Sequence, residues 1–215
     1  MRRRRRVTAA VVLALAATGV FAPASAAPRG DRSIQADVDG DGHPDEVTVQ
    51  DAAPGAQRLS LDVDGESEAA TFSVQGATPA QPPRALDIDG DHKAELLVAH
   101  SVGTNTVTFN IWKYDPERGL VLMKTPQGNP FEVSEGGGVS AVSGYSCAPN
   151  PPRTKEFVTL DVELTSSPGQ SSLYSGHRIN YAVDGDALRP IFDKSINGEP
   201  RIHSLLITNP SSCAA

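Results

Sequence analysis

The sequence predicts an all-β domain of antiparallel sheets over residues 34–215. From residue 34 onward, short runs rich in Val, Ile and Thr alternate with clusters of Gly, Pro, Asp and Ser, which is the pattern of strands separated by turns. The 17 Pro and 19 Gly are spread along most of the chain. Few windows place apolar residues at helical spacing, so we expect no substantial helix.

The strand pattern repeats, which predicts about three copies at roughly 34–83, 84–135 and 136–215. Each copy is a strand, a loop and a hairpin, and the hairpin turns carry the Asp-Gly or Pro-with-Gly combinations that tight reversals need. The predicted strands are 45–50, 57–62 and 70–74 in the first copy, 95–100, 106–114 and 120–124 in the second, and 156–164, 177–183 and 188–192 in the third.

The N-terminus has the layout of a secretory signal peptide. A basic head at residues 2–6 precedes an apolar stretch at 7–21, and small residues follow up to Ala26. The apolar stretch is shorter than the roughly 20 residues that a membrane-spanning helix needs. We therefore expect a signal peptide at 1–26, a disordered lead-in at 27–33, and a secreted protein with no membrane span after cleavage.

The net charge of the expected mature chain limits the classes of partner that it can bind. Five of the 19 basic residues lie in the N-terminal arginine run, so residues 27–215 carry 14 basic and 26 acidic residues, a formal charge of −12. Nucleic-acid binding depends on Lys and Arg that displace counterions from phosphates, and anionic lipid attracts the same residues. The balance argues against both partners and favours cations.

Cys147 and Cys213 are the two cysteines of the chain. An even count in an exported protein favours one disulfide, although two free thiols remain the alternative. A bridge would tie the C-terminus to the third quarter of the chain, and closing so long a loop is worth about 2–4 kcal/mol by the chain-entropy estimate.

Two nine-residue acidic loops, 37–45 and 87–95, carry the clearest chemical signal. Each has carboxylates at its first, third, fifth and ninth positions and lies directly before a predicted strand; they are Asp37, Asp39, Asp41 and Asp45 in the first loop, and Asp87, Asp89, Asp91 and Glu95 in the second. Calcium takes six to eight oxygen ligands in a flexible shell, and the carbonyls of His43 and Lys93 can supply one more each. We expect about two calcium ions.

Alternative interpretations of the loops are acidic surface turns and EF-hands. An EF-hand needs a bidentate Glu at its twelfth position, where these loops have Thr48 and Val98. The second loop has His92 at the sixth position, where the first has Gly42. His tolerates the left-handed backbone less well than Gly, so the second loop is the weaker candidate.

The two loops with the strands after them resemble the FG-GAP repeat, also called the VCBS or integrin α-chain propeller repeat. The resemblance covers roughly residues 34–124 and implies propeller-blade-like sheets, with calcium held by the loop residues named above. The third copy has no acidic loop, and our hypothesis is that a disulfide replaces calcium there. Because the family's propellers close with about seven copies, we expect an open stack or a compact β-domain.

No catalytic set is evident. The five His form no metal-binding pair, and no G-x-S-x-G motif is present; the stretch 144–147 is expected to be a loop beside the disulfide. Trp112 is expected to pack within a sheet. We expect a non-enzymatic binding or adhesion module for an extracellular protein or glycan. The alternative is an extracellular hydrolase or lyase with a cleft joining a loop acid to His100 or Tyr145.

Overall fold

The computed structural model describes residues 32–151, 155–167, 169 and 171–215. The expected signal peptide at 1–26 and most of the expected lead-in lie outside these residues. Within them the protein is all-β, with no α-helix. The strands are β1 (Ser33–Ala36), β2 (Asp45–Ala53), β3 (Ala56–Val63), β4 (Glu66–Ser73), β5 (Arg84–Leu86), β6 (Glu95–Val102), β7 (Thr106–Asp115), β8 (Gly119–Leu122), β9 (Glu132–Gly136), β10 (Ala141–Pro149), β11 (Lys155–Leu164), β12 (Leu173–Asp184) and β13 (Ala187–Pro200).

The first sheet has four strands in the order β1-β2-β3-β4, all antiparallel. Residues Asp64 and Gly65 turn the chain between β3 and β4 with φ of 52° and 81°, which is the geometry that lets a two-residue turn follow the twist of its strands. The Asp62 side chain accepts a hydrogen bond from the Gly65 N–H. The predicted Asp-Gly hairpin turn is confirmed.

The second sheet has nine antiparallel strands in the order β13-β12-β11-β10-β9-β7-β6-β5, and β8 pairs with the far end of β7. Strands β9 and β10 share a single residue pair, Ser143 with Gly136. The sheet folds back at this junction, because residues of β7 and β11 on either side of it pack in one core. Neither sheet forms a closed barrel in the described part of the chain, although Lys124, just after β8, bridges to Ala187 at the start of β13 through two backbone hydrogen bonds.

Three hydrophobic cores lie between the strands. The first joins the first sheet to one face of β6 and β7, through residues such as Val49, Leu61, Leu96 and Trp112. The second joins the other face of β6 and β7 to β10 and β11; its members include Leu97, Phe109, Ile111, Tyr145 and Phe157. The third lies on β11 to β13 and is covered by Leu206 of the C-terminal segment.

Strand β6 shows why these cores form where they do. Alternate residues of a strand point to opposite faces of a sheet: Leu96 and Val98 belong to the first core, whereas Leu97 and Ala99 belong to the second. A strand buried on both faces is a continuous apolar run rather than an alternating one. Strand β6 therefore holds the second acidic loop, which precedes it, on an element fixed from both sides.

All nine predicted strands overlap observed strands, but four further strands were not predicted. They are β1, β5, β9 and β10. Strand β1 begins at Ser33, one residue inside the expected lead-in. The expected loop at 144–147 is wrong, because Tyr145 and Cys147 lie in the middle of β10 and pair with Thr159 and Phe157.

The glycines at 136–138 lie where two backbone segments are in close contact. All three have positive φ, and a side chain on Gly136 would come within 2.1 Å of the Asn105 carbonyl oxygen. Gly137 donates its N–H to the same carbonyl. Glycine is needed here because two backbones approach closely at the end of β9.

The predicted disulfide between Cys147 and Cys213 is present. Both cysteines are buried in the second core. Cys213 ends a short 3-10 turn, Pro210–Cys213, and the Ser212 hydroxyl accepts a hydrogen bond from the Cys147 N–H at 2.7 Å. The bridge thus fixes the C-terminal segment against β10.

Candidate metal sites

The first acidic loop is held in a tight curl by its own carboxylates. Asp37 accepts hydrogen bonds from the N–H groups of Gly40 (2.7 Å) and Gly42 (2.9 Å). Asp39 accepts from the Asp41 N–H, and Asp41 accepts from the His43 N–H. Asp37, Asp39 and Asp41 each place one carboxylate oxygen within 4.8 Å of the other two. Three of the four predicted carboxylates therefore converge on one point.

The second loop repeats three of these four hydrogen bonds. Asp87 accepts from the Gly90 N–H, Asp89 from the Asp91 N–H at 3.2 Å, and Asp91 from the Lys93 N–H at 2.9 Å. The carboxylate oxygens of Asp87, Asp89 and Asp91 also lie within 4.8 Å of one another. Two loops separated by 50 positions in the chain, counted from Asp37 to Asp87, thus have the same backbone and the same inward carboxylates.

The ninth-position acids, Asp45 and Glu95, stand slightly apart from these trios. Each is buried at the start of a strand, where one carboxylate oxygen accepts a 3.0 Å hydrogen bond from the N–H of the second loop position, Val38 or Ile88. This bond draws the acid back onto the beginning of its own loop. One oxygen of each carboxylate remains to complete a cation shell.

Burial among like charges raises the pKa of these acids. Desolvation is the main cause for Asp45, and Asp39, Asp41 and Asp37 add to it. Desolvation raises the pKa of Glu95 to about 8, with further contributions from Asp89, Asp91 and Asp87. The pKa of Asp89 is raised by burial and by Asp91. Crowded buried carboxylates are costly when ionised together, and either protonation or a bound cation would reduce this cost.

The sixth position of the two loops confirms the expected backbone. Gly42 has φ of +87° and His92 has φ of +69°, so both adopt the left-handed region. An imidazole-bearing residue is among the non-glycine residues that enter this region most readily. Within the loops, His43 and Lys93 make hydrogen bonds through their N–H groups. The role of their carbonyl oxygens as cation ligands stays a prediction.

The two loops lie side by side. The Ala94 N–H of the second loop donates a 2.7 Å hydrogen bond to the Asp37 carbonyl of the first. The aliphatic part of Lys93 packs on Gly40, where an added Cβ would lie 3.1 Å from two of its carbons. No local sequence pattern predicts this contact, which links the first sheet to the second through the candidate metal sites.

A cationic partner of the second loop was missed at the sequence level. The Lys155 Nζ lies 3.0 Å from Asp87 Oδ2 and 3.2 Å from the Asp87 carbonyl oxygen, and the Asp87 side chain is only 4% exposed. The Lys155 N–H also donates to the Asp89 carbonyl. Within the described residues, Asp37 has no corresponding ion pair. The two loops therefore differ by one built-in positive charge.

The second loop is also tied to the disulfide. The Asp87 N–H donates a 2.8 Å hydrogen bond to the Cys213 carbonyl, and Lys155 Nζ approaches the Ala214 carbonyl at 3.4 Å. Asp87 is thus clamped by the C-terminal segment on one side and by β11 on the other. The acidic loop and the disulfide form one connected region.

The cleft expected of a hydrolase is only partly present. A groove of about 170 Å³ is lined by Asp89, Asp91 and Glu95 together with Tyr114, whereas His100 and Tyr145 lie elsewhere. The Tyr145 hydroxyl accepts a hydrogen bond from Arg84 and its side chain is buried. Burial raises the pKa of Tyr114, which keeps its hydroxyl protonated at neutral pH.

No protein-family model matches the chain, and neither the curated proteins nor the solved structures contain a significant match.

In the described part of the chain, no helix has the length and hydrophobicity to cross a bilayer. The disulfide is consistent with an oxidising, extracellular setting.

Proposed function

We propose that this protein is a secreted calcium-binding module in which about two ions stabilise a β-domain that binds an extracellular protein or glycan. The observation that carries the proposal is the repeated loop network, in which three converging carboxylates precede a buried ninth-position acid in both loops. Calcium is favoured over other ions because the candidate ligands are all oxygens and its shell accepts six to eight of them in varied geometry.

The strand order supports the resemblance to FG-GAP or VCBS repeats. Strands β1 to β4 and β5 to β8 are both consecutive antiparallel meanders with an acidic loop between the first and second strand, and β10 to β13 form a third meander without such a loop. We interpret the three meanders as blade-like units in an open stack. In the third, the disulfide region takes the place of the metal loop.

Thermal unfolding of the purified protein tests the calcium role. We expect a higher midpoint in excess calcium than in chelator, because an ion that binds only the folded state adds about 2.7 kcal/mol at a hundredfold excess over its Kd. Asp39→Asn and Asp89→Asn should each remove part of this gain. Glu117→Gln, which changes an exposed acid outside the loops, is the matched control.

Two results would contradict the calcium proposal. One is an unchanged midpoint when the metal is removed. The other is an equal calcium response in both loop variants and in the wild type. Binding is tested separately, by capture on cell-wall glycans and on secreted proteins in calcium; recovery of nothing from either source would argue against a binding module.

A second candidate is an extracellular hydrolase or lyase. It is favoured by one observation, the presence of Tyr114 and Lys113 in the groove that Asp89 and Asp91 line. Its test is turnover of a panel of polysaccharide and ester substrates in calcium. Activity that Tyr114→Phe abolishes would establish it, and no turnover on the whole panel would eliminate it.

A further inference from the structure

A second groove lies away from the acidic loops, where the end of β4 meets β6 to β9. Its volume is about 400 Å³, within the range of about 300–1,000 Å³ that is usual for small-molecule sites. Apolar side chains dominate the wall, among them Phe72, Trp112 and Leu122. The polar residues that line it include His100, Asn110 and Glu132.

Two buried nitrogen atoms in these residues make no hydrogen bond. Trp112 Nε1 and His100 Nε2 have no hydrogen-bond partner within the described residues, and both atoms are shielded from solvent; Trp112 is 6% and His100 is 5% exposed. Buried polar atoms are nearly always paired in folded proteins. A ligand that displaces the side chains covering these two atoms can supply the hydrogen-bond partners that they lack.

The Glu132 side chain is free to reorient when a ligand binds. Its Oε1 lies 3.5 Å from His100 Nε2, and its side chain is 52% exposed whereas that of His100 is 6% exposed. This separation is longer than a well-formed hydrogen bond. The carboxylate can therefore turn toward a ligand donor without losing a strong internal contact, which also uncovers the imidazole.

The wall chemistry selects the class of ligand. The lining residues comprise one carboxylate, one imidazole, side-chain amides and hydroxyls, and neither Lys nor Arg is among them. Anionic ligands are therefore disfavoured. The unpaired Trp112 N–H needs an acceptor, whereas the Glu132 carboxylate needs a donor. A hydroxyl group supplies both, and the apolar wall suits the C–H face of a ring.

We propose that this groove binds a neutral sugar residue of a glycan. The proposal rests on the binding role inferred above and gives that role a place and a ligand class. Glu132 would accept from a sugar hydroxyl, and Trp112 Nε1 and His100 Nε2 would face the ring oxygens or hydroxyls once the side chains over them have moved. The Trp112 ring itself packs against Phe72 at 5.9 Å, so it forms part of the wall rather than a stacking platform.

The chain has a single tryptophan, so its fluorescence reports directly on this groove. The calcium-loaded protein is titrated with glucose, galactose, mannose and N-acetylglucosamine, with their oligosaccharides, and with glucuronic and galacturonic acids. We expect a saturable change with at least one neutral sugar and at least tenfold weaker binding of the matching uronic acid. Glu132→Gln should weaken the neutral sugar at least tenfold. Glu163→Gln, an exposed acid on β11, should leave it unchanged.

Three results would overturn the groove assignment: no saturable change with any neutral sugar, undiminished binding by Glu132→Gln, or tighter binding of the uronic acid. Thermal melts of both variants in calcium check that each is folded, and Glu132→Asp supplies a second variant that keeps the charge and shortens its reach. If Glu132→Gln still binds glycans in the capture experiment, the proposed binding function stands and the ligand binds outside this groove. If the wild type captures neither glycans nor proteins, the proposed binding function itself is refuted.

Discussion

At the residue scale, Asp87 and Asp37 occupy the same loop position with different electrostatic partners. Asp87 is nearly inaccessible and pairs with Lys155 at 3.0 Å. A lysine ammonium held on a ligand carboxylate competes with an incoming cation for that oxygen, and it also offsets part of the repulsion among the acids. We therefore expect the second loop to tolerate the absence of a cation better than the first, and to bind calcium more weakly.

Replacing Lys155 with Met tests this difference. Without calcium, we expect a stability loss of roughly 3 kcal/mol, because a buried carboxylate is left without its partner. With calcium, most of the loss should be recovered, and the affinity of the second loop should rise. Melts in chelator and in calcium, with calorimetric titration, measure both effects. Lys194→Met on an exposed part of β13 is the control, and equal losses with and without calcium would contradict the account.

Glu95 makes the stability of the metal-free protein depend on pH. Its folded pKa is raised to about 8 from an ordinary value of 4.5, so the folded state binds a proton more tightly than the unfolded chain does. The stability that this proton contributes is fully present below pH 4.5 and is lost as pH rises toward 8. In chelator, the midpoint should therefore fall between pH 5.5 and 8.

The same residue gives the opposite trend for the metal. Ligand carboxylates must be deprotonated to bind a cation, so calcium affinity should rise over this pH range. Melts of the wild type and of Glu95→Gln at several pH values separate the two effects. If the glutamine variant shows the same slope in chelator, the titrating group is another residue.

At the scale of elements, the C-terminal segment connects the disulfide to the second loop. Cys213 accepts the Asp87 N–H through its carbonyl and is bonded to Cys147 of β10. One short segment thereby fixes a loop, a strand and the chain end. Its loss should affect the second loop more than the first.

Removing the bridge with Cys147→Ala and Cys213→Ala tests this connection. We expect a loss of about 2–4 kcal/mol, as for other long disulfide loops. Hydrogen exchange should show a larger loss of protection at the Asp87 amide than at the Gly40 amide, whose acceptor Asp37 lies in the first loop. Equal changes at both amides would show that the bridge stabilises the fold without acting on the second loop.

The predicted and the missed elements differ in composition. The nine predicted strands are apolar enough to be recognised locally, as in β6 and β11. In contrast, β5 has three residues beside prolines, and β10 contains Gly, Ser and Pro, so pairing with neighbouring strands rather than local sequence makes them strands. The clustering of the loop acids was predictable because all four lie within nine consecutive residues. Lys155 was not, since 68 positions separate it from Asp87.

At the scale of the whole described domain, the cores are joined in series through β6, β7 and β11. The face of the first sheet away from its core is polar, with Thr48, Gln50, Arg58 and Ser60 among its residues. A further layer packed on this face would have little apolar surface to bury. The C-terminal segment covers the third core at the other side.

The burial of β6 also sets where the chain can change. Its residues 95–100 are all buried, whereas seven of the eight residues of β4 are not. In a library of random variants selected for folding, positions 96–99 should accept only apolar residues of similar volume. Strand β4 should accept polar residues almost throughout. Among natural variants of this protein, differences should therefore accumulate along β4, while β6 stays nearly constant and marks the common ancestry.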